Sequence, residues 1–358
     1  MGAEAAALGD RILYICTPSL KDSASARQVR ESLGRHLVAE FSGVAPHVPV
    51  EAVEAARTLA GQHRVEAVVA MGGGSAIGVA KGVVAGSSAP SGLEAPPPLG
   101  EGRVGARGGG MALVAIPTTY AGSEMTPVYG TRDADNRVKH VHRDPAALPS
   151  LAIYDPEITI DLPAEITAST AMNALAHCVE ACYARDVNPV IPPVALEGIR
   201  HIVRALPLCV SNGRDLDARE DLLTGAYLAA FSIANASMAL HHGLCHVLGG
   251  RTGVAHGVLN AIMLPHVMRF NADAVPDAMG QIADAMDAGA RTRDLEAAAR
   301  FVAAFVESLP VPQRLRDAGV AADSLDLVAR DAANNSTVQS NPKAVSAKEI
   351  RQLLQAAW

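Results

Sequence analysis

The segment EAVVAMGGGSAIGVAK (66–81) constrains this chain most, because an unbroken apolar run passes straight into three glycines and then into helical spacing. Such a run reads as a strand buried on both faces, and a helix directly after a glycine turn makes a strand–turn–helix unit of a parallel sheet. Similar units surround it. RILYICT (11–17) is a strand, followed by a polar helix from about Ser23 to Phe41. VAPHV (44–48) is a second, short strand, and Val50 to Gln62 has helical spacing. A helix runs through Ala76 to Ala85, and ALVAIP (112–117) is another strand. Strands alternating with helices predict a parallel α/β domain, bounded at 1–157. From about Asp161 the apolar residues recur at i, i+3, i+4, first in LPAEITASTAMNALAHCVEACYA. The same spacing returns over 194–206, 218–240, 257–271, 274–287, 294–307 and 346–356, so 158–358 is expected to be an all-α domain. The Gly-, Pro- and Ser-rich stretch 86–110 keeps no periodicity and is expected to be a mobile surface loop.

At 358 residues the chain can bury two cores, and 49% hydrophobic with 19% charged residues fits an ordinary soluble protein. Aromatics at 3% argue against base stacking, and a net charge of −7 argues against nucleic acid or an anionic membrane as partner. No uninterrupted apolar segment reaches the length of a membrane span, and the opening MGAEAAALGD has no basic region or long apolar run. A cytoplasmic location is therefore expected. The five cysteines, at 16, 178, 182, 209 and 245, lack CxxC spacing and read as small apolar fillers.

Two features point to a nucleotide. Three glycines let the backbone approach a phosphate, while the following helix offers N–H groups and a positive dipole end. IPTTYAGSE (116–124) places hydroxyls at the end of the next strand. Parallel strands deliver those ends to one sheet edge, where open α/β folds bind ligands. A third feature is a set of imidazoles. Asn173 and His177 are four apart, as are His242 and His246, with His256 following. Residues four apart share a helix face. With Asp at 173 this would be a carboxylate-plus-imidazole metal site. Asn173 removes the anionic ligand, although three imidazoles could still hold zinc.

GGGS, PTTYAGSE, the NxxxH pair and the HxxxH…H spacing occur in an order that resembles the iron-containing alcohol dehydrogenase superfamily over about residues 11–358. IPTTYAGSEMTP, MNALAH, NPV (188–190), HGLCHVLGG (242–250) and NPK (341–343) resemble its maleylacetate reductase branch. The resemblance implies a Rossmann-like, dehydroquinate synthase-like fold with a helical C-terminal domain and an active site in the cleft between. It implies NAD(P)H-dependent reduction of maleylacetate to 3-oxoadipate, and a homodimer. Phosphate binding would fall on Gly72, Gly73, Gly74 and Ser75, with further cofactor contacts from Thr17, Thr118, Thr119 and Ser123. Superfamily metal ligands would fall on Asn173, His177, His242 and His256, with His246 as proton relay. Against the family pattern most of the strand and turn expected before the first strand is lacking, 86–110 is inserted, and His140 and Val141 stand where small hydroxyl residues are expected.

The chemistry favours catalysis without a metal. Hydride addition to a C=C conjugated with a ketone gives an enolate, which hydrogen-bond donors stabilise and a histidine protonates. His242 and His246 are the expected donors, with His177 and Asn173 polarising or positioning the oxygen. Maleylacetate is a dianion, so Arg251 is the expected cationic contact, with Lys343 and Arg143 behind it. CTPS (16–19) ends the first strand without an acidic residue, which predicts tolerance of both NADH and NADPH. A metal-dependent reductase of another small aldehyde or ketone, and a non-reductase member of the fold, are the competing readings.

Overall fold

The computed structural model describes residues 2–86, 110–133, 139–287 and 294–358, with no side-chain description at Lys139. The chain divides into two compact units, Met1–Thr118 with Ser123–Ile158, and Thr119–Gly122 with Thr159–Trp358.

In the first unit the elements are α1 (Gly2–Ala6), β1 (Ile12–Cys16), α2 (Ala24–Leu33), β2 (Leu37–Phe41), α3 (Val50–Gln62), β3 (Ala67–Gly72), α4 (Gly74–Ala85) and β4 (Ala112–Pro117). β5 (Val128–Arg132), β6 (Lys139–Arg143) and β7 (Leu151–Ala152) follow. Five parallel strands lie in the order β2-β1-β3-β4-β7, and β5 and β6 pair separately as an antiparallel ribbon. Side chains alternate across the sheet as strand geometry requires. Leu13, Ile15, Val68, Ala70 and Leu113 pack with α3 and α4, while Ile12, Tyr14, Val69, Met71 and Val114 pack with α1 and α2. This two-sided burial is why these strands are continuously apolar. Register pairs Cys16 with Met71 and Gly72 with Pro117, so Thr17, Gly72 and Thr118 end neighbouring strands on one edge.

The second strand departs from the sequence expectation. It is β2, not 44–48, and the helix expected to reach Phe41 stops at Leu33. Gly34 at φ 49° ends that helix. Pro46, with His47 and Val48 at φ 66° and 54°, keeps 44–48 from pairing, although Val44 and Val48 still fill the core. The ribbon β5–β6 and the two-residue β7 carry too few apolar residues to stand out by pattern. His140 and exposed Val141 lie on β6. The expected 86–110 loop lies outside the described residues except at its ends.

The second unit is helical: α5 (Ala164–Tyr183), α6 (Ile191–Ser211), α7 (Leu216–Ala234), α8 (Leu240–Thr252), α9 (His256–Asn271), α10 (Pro276–Ala285), α11 (Ala297–Glu307), α12 (Leu325–Ala333), α13 (Ser336–Gln339) and α14 (Ala347–Ala357). The apolar stretch 218–240 is in fact α7 and the first residue of α8, separated by a break after Ala234. Leu244, Leu248, Leu259, Met263, Val328 and Leu354 belong to a core formed by α8, α9, α12 and α14. Among the described residues no helix is long and apolar enough to cross a membrane.

Candidate active site

In the first unit the site is made of backbone. Gly72 has φ 152°, and a Cβ there would lie 2.5 Å from Thr17 Oγ1 and 2.7 Å from the Ala76 Cβ. Only glycine fits that turn. A Cβ on Gly74, the first residue of α4, would meet open space, so the start of the helix presents N–H groups beside room for an anion. Thr118 N–H donates to the Gly72 carbonyl at 3.1 Å, which ties the two strand ends together. Behind them Lys81, fully buried on α4, donates to the carbonyls of Ser123 (2.5 Å), Thr126 (2.6 Å) and Val128 (2.8 Å). Burial pushes its ammonium down to about 7, opposed by the buried Glu124 carboxyl. Thr17, Gly72, Gly73, Gly74, Ser75, Thr118 and Ser123 all belong to this unit, whereas Thr119 belongs to the segment assigned to the helical one.

In the helical unit the site is made of side chains. α5 carries Asn173, His177 and Glu180 on one face, at i, i+4 and i+7. α8 supplies His241, His242 and His246, and α9 supplies His256 and Asn260. Gly257 allows α9 to approach α5, since a Cβ there would lie 2.5 Å from the Ser169 carbonyl oxygen. Four imidazoles converge. Ring centroids are 4.6 Å apart for His177–His242, 5.8 Å for His242–His256, 6.3 Å for His242–His246 and 5.1 Å for His246–His256.

A chain of hydrogen bonds lies beneath the rings. Glu180 Oε2 is 2.6 Å from His242 Nδ1, and Glu180 Oε1 accepts the His241 backbone N–H at 2.9 Å. His241 Nε2 faces the Asn260 carbonyl at 3.1 Å, an acceptor only, so that nitrogen bears the hydrogen. Asn260 Nδ2 donates to Asn173 Oδ1 at 2.7 Å, and Asn173 Nδ2 donates to the Ala121 carbonyl at 3.2 Å. His177 Nδ1 and His242 Nε2 are buried without a hydrogen-bond partner. Burial, then the neighbouring imidazoles, lowers His177 to about 3. Burial lowers His241 to about 4 and His242 well below the usual histidine range. Burial raises the Glu180 carboxyl, against three backbone N–H groups that favour its charged form. Burial thus keeps His177, His241 and His242 neutral.

Known proteins resemble both parts of the chain. The profile described as iron-containing alcohol dehydrogenase matches residues 1–156, and that of the Fe-containing alcohol dehydrogenase family, C-terminal, matches 167–358. The chain belongs to the iron-containing alcohol dehydrogenase family. It is similar to maleylacetate reductase of Burkholderia cepacia, with 38% identity over 97% of this chain and 89% of that one. Maleylacetate reductase 2 of Cupriavidus pinatubonensis is 42% identical over 80% of this chain and 73% of its own. The crystal structure of maleylacetate reductase from Agrobacterium tumefaciens superposes with a TM-score of 0.83 at 35% identity, covering 98% and 89% of the two chains. Membership makes the chain an oxidoreductase with the two-part architecture of that family.

Set against the family's metal-ligand positions, the structure brings His177, His242 and His256 together but engages the Asn173 oxygen with Asn260. Among the described residues, the group of three His, Cys, Asp or Glu donors within 4.8 Å of one another is Glu180, His241 and His242, beneath those positions. Two of the cations expected at the site are engaged elsewhere. Arg251, exposed in the last turn of α8, pairs with Asp331. Lys343 bonds Asp273 at 2.7 Å and the Phe270 carbonyl at 3.0 Å, and Arg143 lies on β6 of the other unit. Sequence reasoning passed over Glu180, His241 and Asn260. Glu180 continues the 173/177 face and Asn260 sits one turn after His256, so both were visible as extensions of patterns already in hand.

Proposed function

We propose that this chain reduces maleylacetate to 3-oxoadipate with NADH or NADPH as hydride donor and without a metal ion. The observation that carries the reading is a cluster of four imidazoles that holds two buried nitrogens without a protein partner, His177 Nδ1 and His242 Nε2. The glycine turn fits a nucleotide, because a Cβ would fill the space at Gly72 and nothing fills it at Gly74. When bound, the nicotinamide supplies the hydride. The chain's own residues then handle the enolate. His177 stands beside His242 to hydrogen-bond the oxygen, and His242 or His246 delivers the proton to carbon. Asn173 has both ends engaged and positions Ala121 and Asn260 rather than touching substrate.

The donor set supports the metal-free reading. A metal held as in the superfamily would want an anion at 173, where the structure has an amide whose oxygen already accepts a hydrogen bond. A dianionic substrate would then meet imidazole N–H groups instead of a cation. The test is NADPH oxidation with maleylacetate and with simple aldehydes, before and after chelation, with metal analysis of the same samples. Turnover of maleylacetate that survives chelation is expected, and Asn173→Asp should raise metal content without raising the rate. Loss of wild-type activity on chelation sinks the metal-free mechanism, and preference for an aldehyde sinks the substrate.

A further inference from the structure

Lys81 brings an ammonium into the interior of the first unit, where carbonyls of one short segment converge on it. Nζ donates to the carbonyls of Ser123 at 2.5 Å, Thr126 at 2.6 Å and Val128 at 2.8 Å, with the Thr126 hydroxyl at 3.4 Å. The side chain is fully buried, and burial disfavours its charged form. An apolar side chain would fill this place without desolvating a charge, but it would take the ammonium away from three carbonyls. The segment has little regular structure of its own: one tight turn, Ser123–Met125, precedes β5. Glu124, in that turn, is buried as well, and its Oε1 accepts from the Tyr154 hydroxyl at 2.9 Å. Side-chain bonds therefore set the path of the main chain here.

Helix α4 joins this anchor to the glycine turn. It starts at Gly74 and carries Lys81 seven residues later on the same face, so one rigid element offers its first N–H groups at the turn and its ammonium to 123–128. The segment also leaves the sheet beside the turn, because β4 is the neighbour of β3 and Thr118 N–H donates to the Gly72 carbonyl at 3.1 Å. A dinucleotide with its phosphates at Gly74 is too long for the turn alone and extends over the neighbouring strand ends, β1 at Cys16 and β4 at Pro117. The β4 side continues into Thr119–Gly122, which belongs to the unit that carries the imidazoles. The nicotinamide, which has to meet the substrate, therefore belongs on that side. The geometry points to Lys81 as a positioning residue for the cofactor: it fixes the main chain of 123–128 so that this segment receives the nicotinamide half, while the glycine turn receives the phosphates by itself. The inference takes its cofactor from the reductase reading above, whereas the hold of Lys81 on the segment does not depend on it.

Lys81→Met keeps the length of the side chain and removes the charge and the donors. Without ligand, amide hydrogen exchange in the variant should quicken over 123–128 and stay slow over 76–84, the buried turns of α4. Fluorescence titration should show the NADPH dissociation constant raised about tenfold, the size of one well-placed hydrogen bond. 2′-Phospho-ADP-ribose, which has the phosphates but no nicotinamide, should bind within about threefold of the wild type. Lys81→Gln, with a neutral amide and two N–H groups in place of three, should lie between, and it carries the same readouts if the Met variant does not fold. Equal weakening of both ligands would mean that the whole unit has loosened and overturns the proposal, as does unchanged NADPH affinity in a folded variant. If the wild type itself binds no NADPH but exchange still quickens over 123–128, the nucleotide reading falls and the hold of Lys81 on the segment stands. Unchanged exchange there overturns that hold.

Discussion

Under the function proposed above, the glycine turn and the histidine cluster each hold a polar ligand, with opposite materials. At 72–75 the protein removes side chains so that backbone N–H groups can be reached, and the arrangement depends on one φ value and one missing Cβ. Around His242 it adds side chains from three helices and buries them, so the arrangement depends on a run of hydrogen bonds from Glu180 through His241 and Asn260 to Asn173. A backbone site tolerates almost no substitution and little affects it from afar. A side-chain site can be retuned residue by residue, and it is exposed to pH.

The sharpest way to break that contrast is Gly72→Ala. An alanine there combines an unfavourable φ with contacts of 2.5 Å to Thr17 and 2.7 Å to Ala76. Backbone strain and overpacking of this kind cost about 1–3 kcal/mol each, so a loss of about 4 kcal/mol is expected. Thermal unfolding with and without NADPH checks it: the melting temperature should drop and the rise on adding NADPH should vanish. A variant that melts and binds NADPH like the wild type would mean the turn is not where the nucleotide is held.

A smaller effect should come from acid, and only from the side-chain site. His241 and His177 titrate near 4 and 3 in the fold, below an ordinary value of 6.5. The unfolded chain therefore takes up protons first as pH falls. The stability these two residues allow is fully present above pH 6.5 and is lost progressively below it, down to their folded values. Between pH 6.5 and 5.5 the pair should account for about 2 kcal/mol, read as a falling urea midpoint. The same experiment on Gly72→Ala should give a parallel curve, because the glycine turn has nothing to titrate there. Flat stability across this window would show that these imidazoles take up protons in the fold as readily as in the unfolded chain.

How far each site could be read from sequence follows from the same contrast. The glycine turn was legible as a turn, because a buried apolar run passes straight into GGGS. α3 and most helices of the second half were legible because their periodicity is long and regular, and β4 because it is an unbroken apolar run, but α8 and α12 fell outside the stretches that showed it. β2 was not, since LVAEF is short and follows a helix of similar polarity, and only Gly34 marks the change. The histidines declared themselves by spacing, while Glu180 and Asn260 share their helix faces but carry no spacing signal of their own. A lone Glu in an apolar helix acquires meaning only when a second helix places an imidazole 2.6 Å away. Arg251 misled for the converse reason: it is near the histidines in sequence, yet the last turn of α8 directs it to Asp331.

Arg251 also supplies the smallest expected effect. It is 42% exposed and paired with a carboxylate that is itself 35% exposed, and ion pairs of that kind contribute about 0–1 kcal/mol. Arg251→Ala should therefore change stability by less than about 1 kcal/mol and the KM for maleylacetate by less than about threefold. If instead Arg251 anchors a substrate carboxylate, removing a charge-assisted hydrogen bond of about 1.5–3 kcal/mol would raise KM about tenfold or more. Asp331→Asn separates the two cases further, because freeing the guanidinium should lower KM only if Arg251 reaches the substrate. A tenfold rise with Arg251→Ala would move the boundary of the side-chain site outward by a full helical turn. The dianion would then be met by a fixed cation, and the imidazoles would be left with the proton alone.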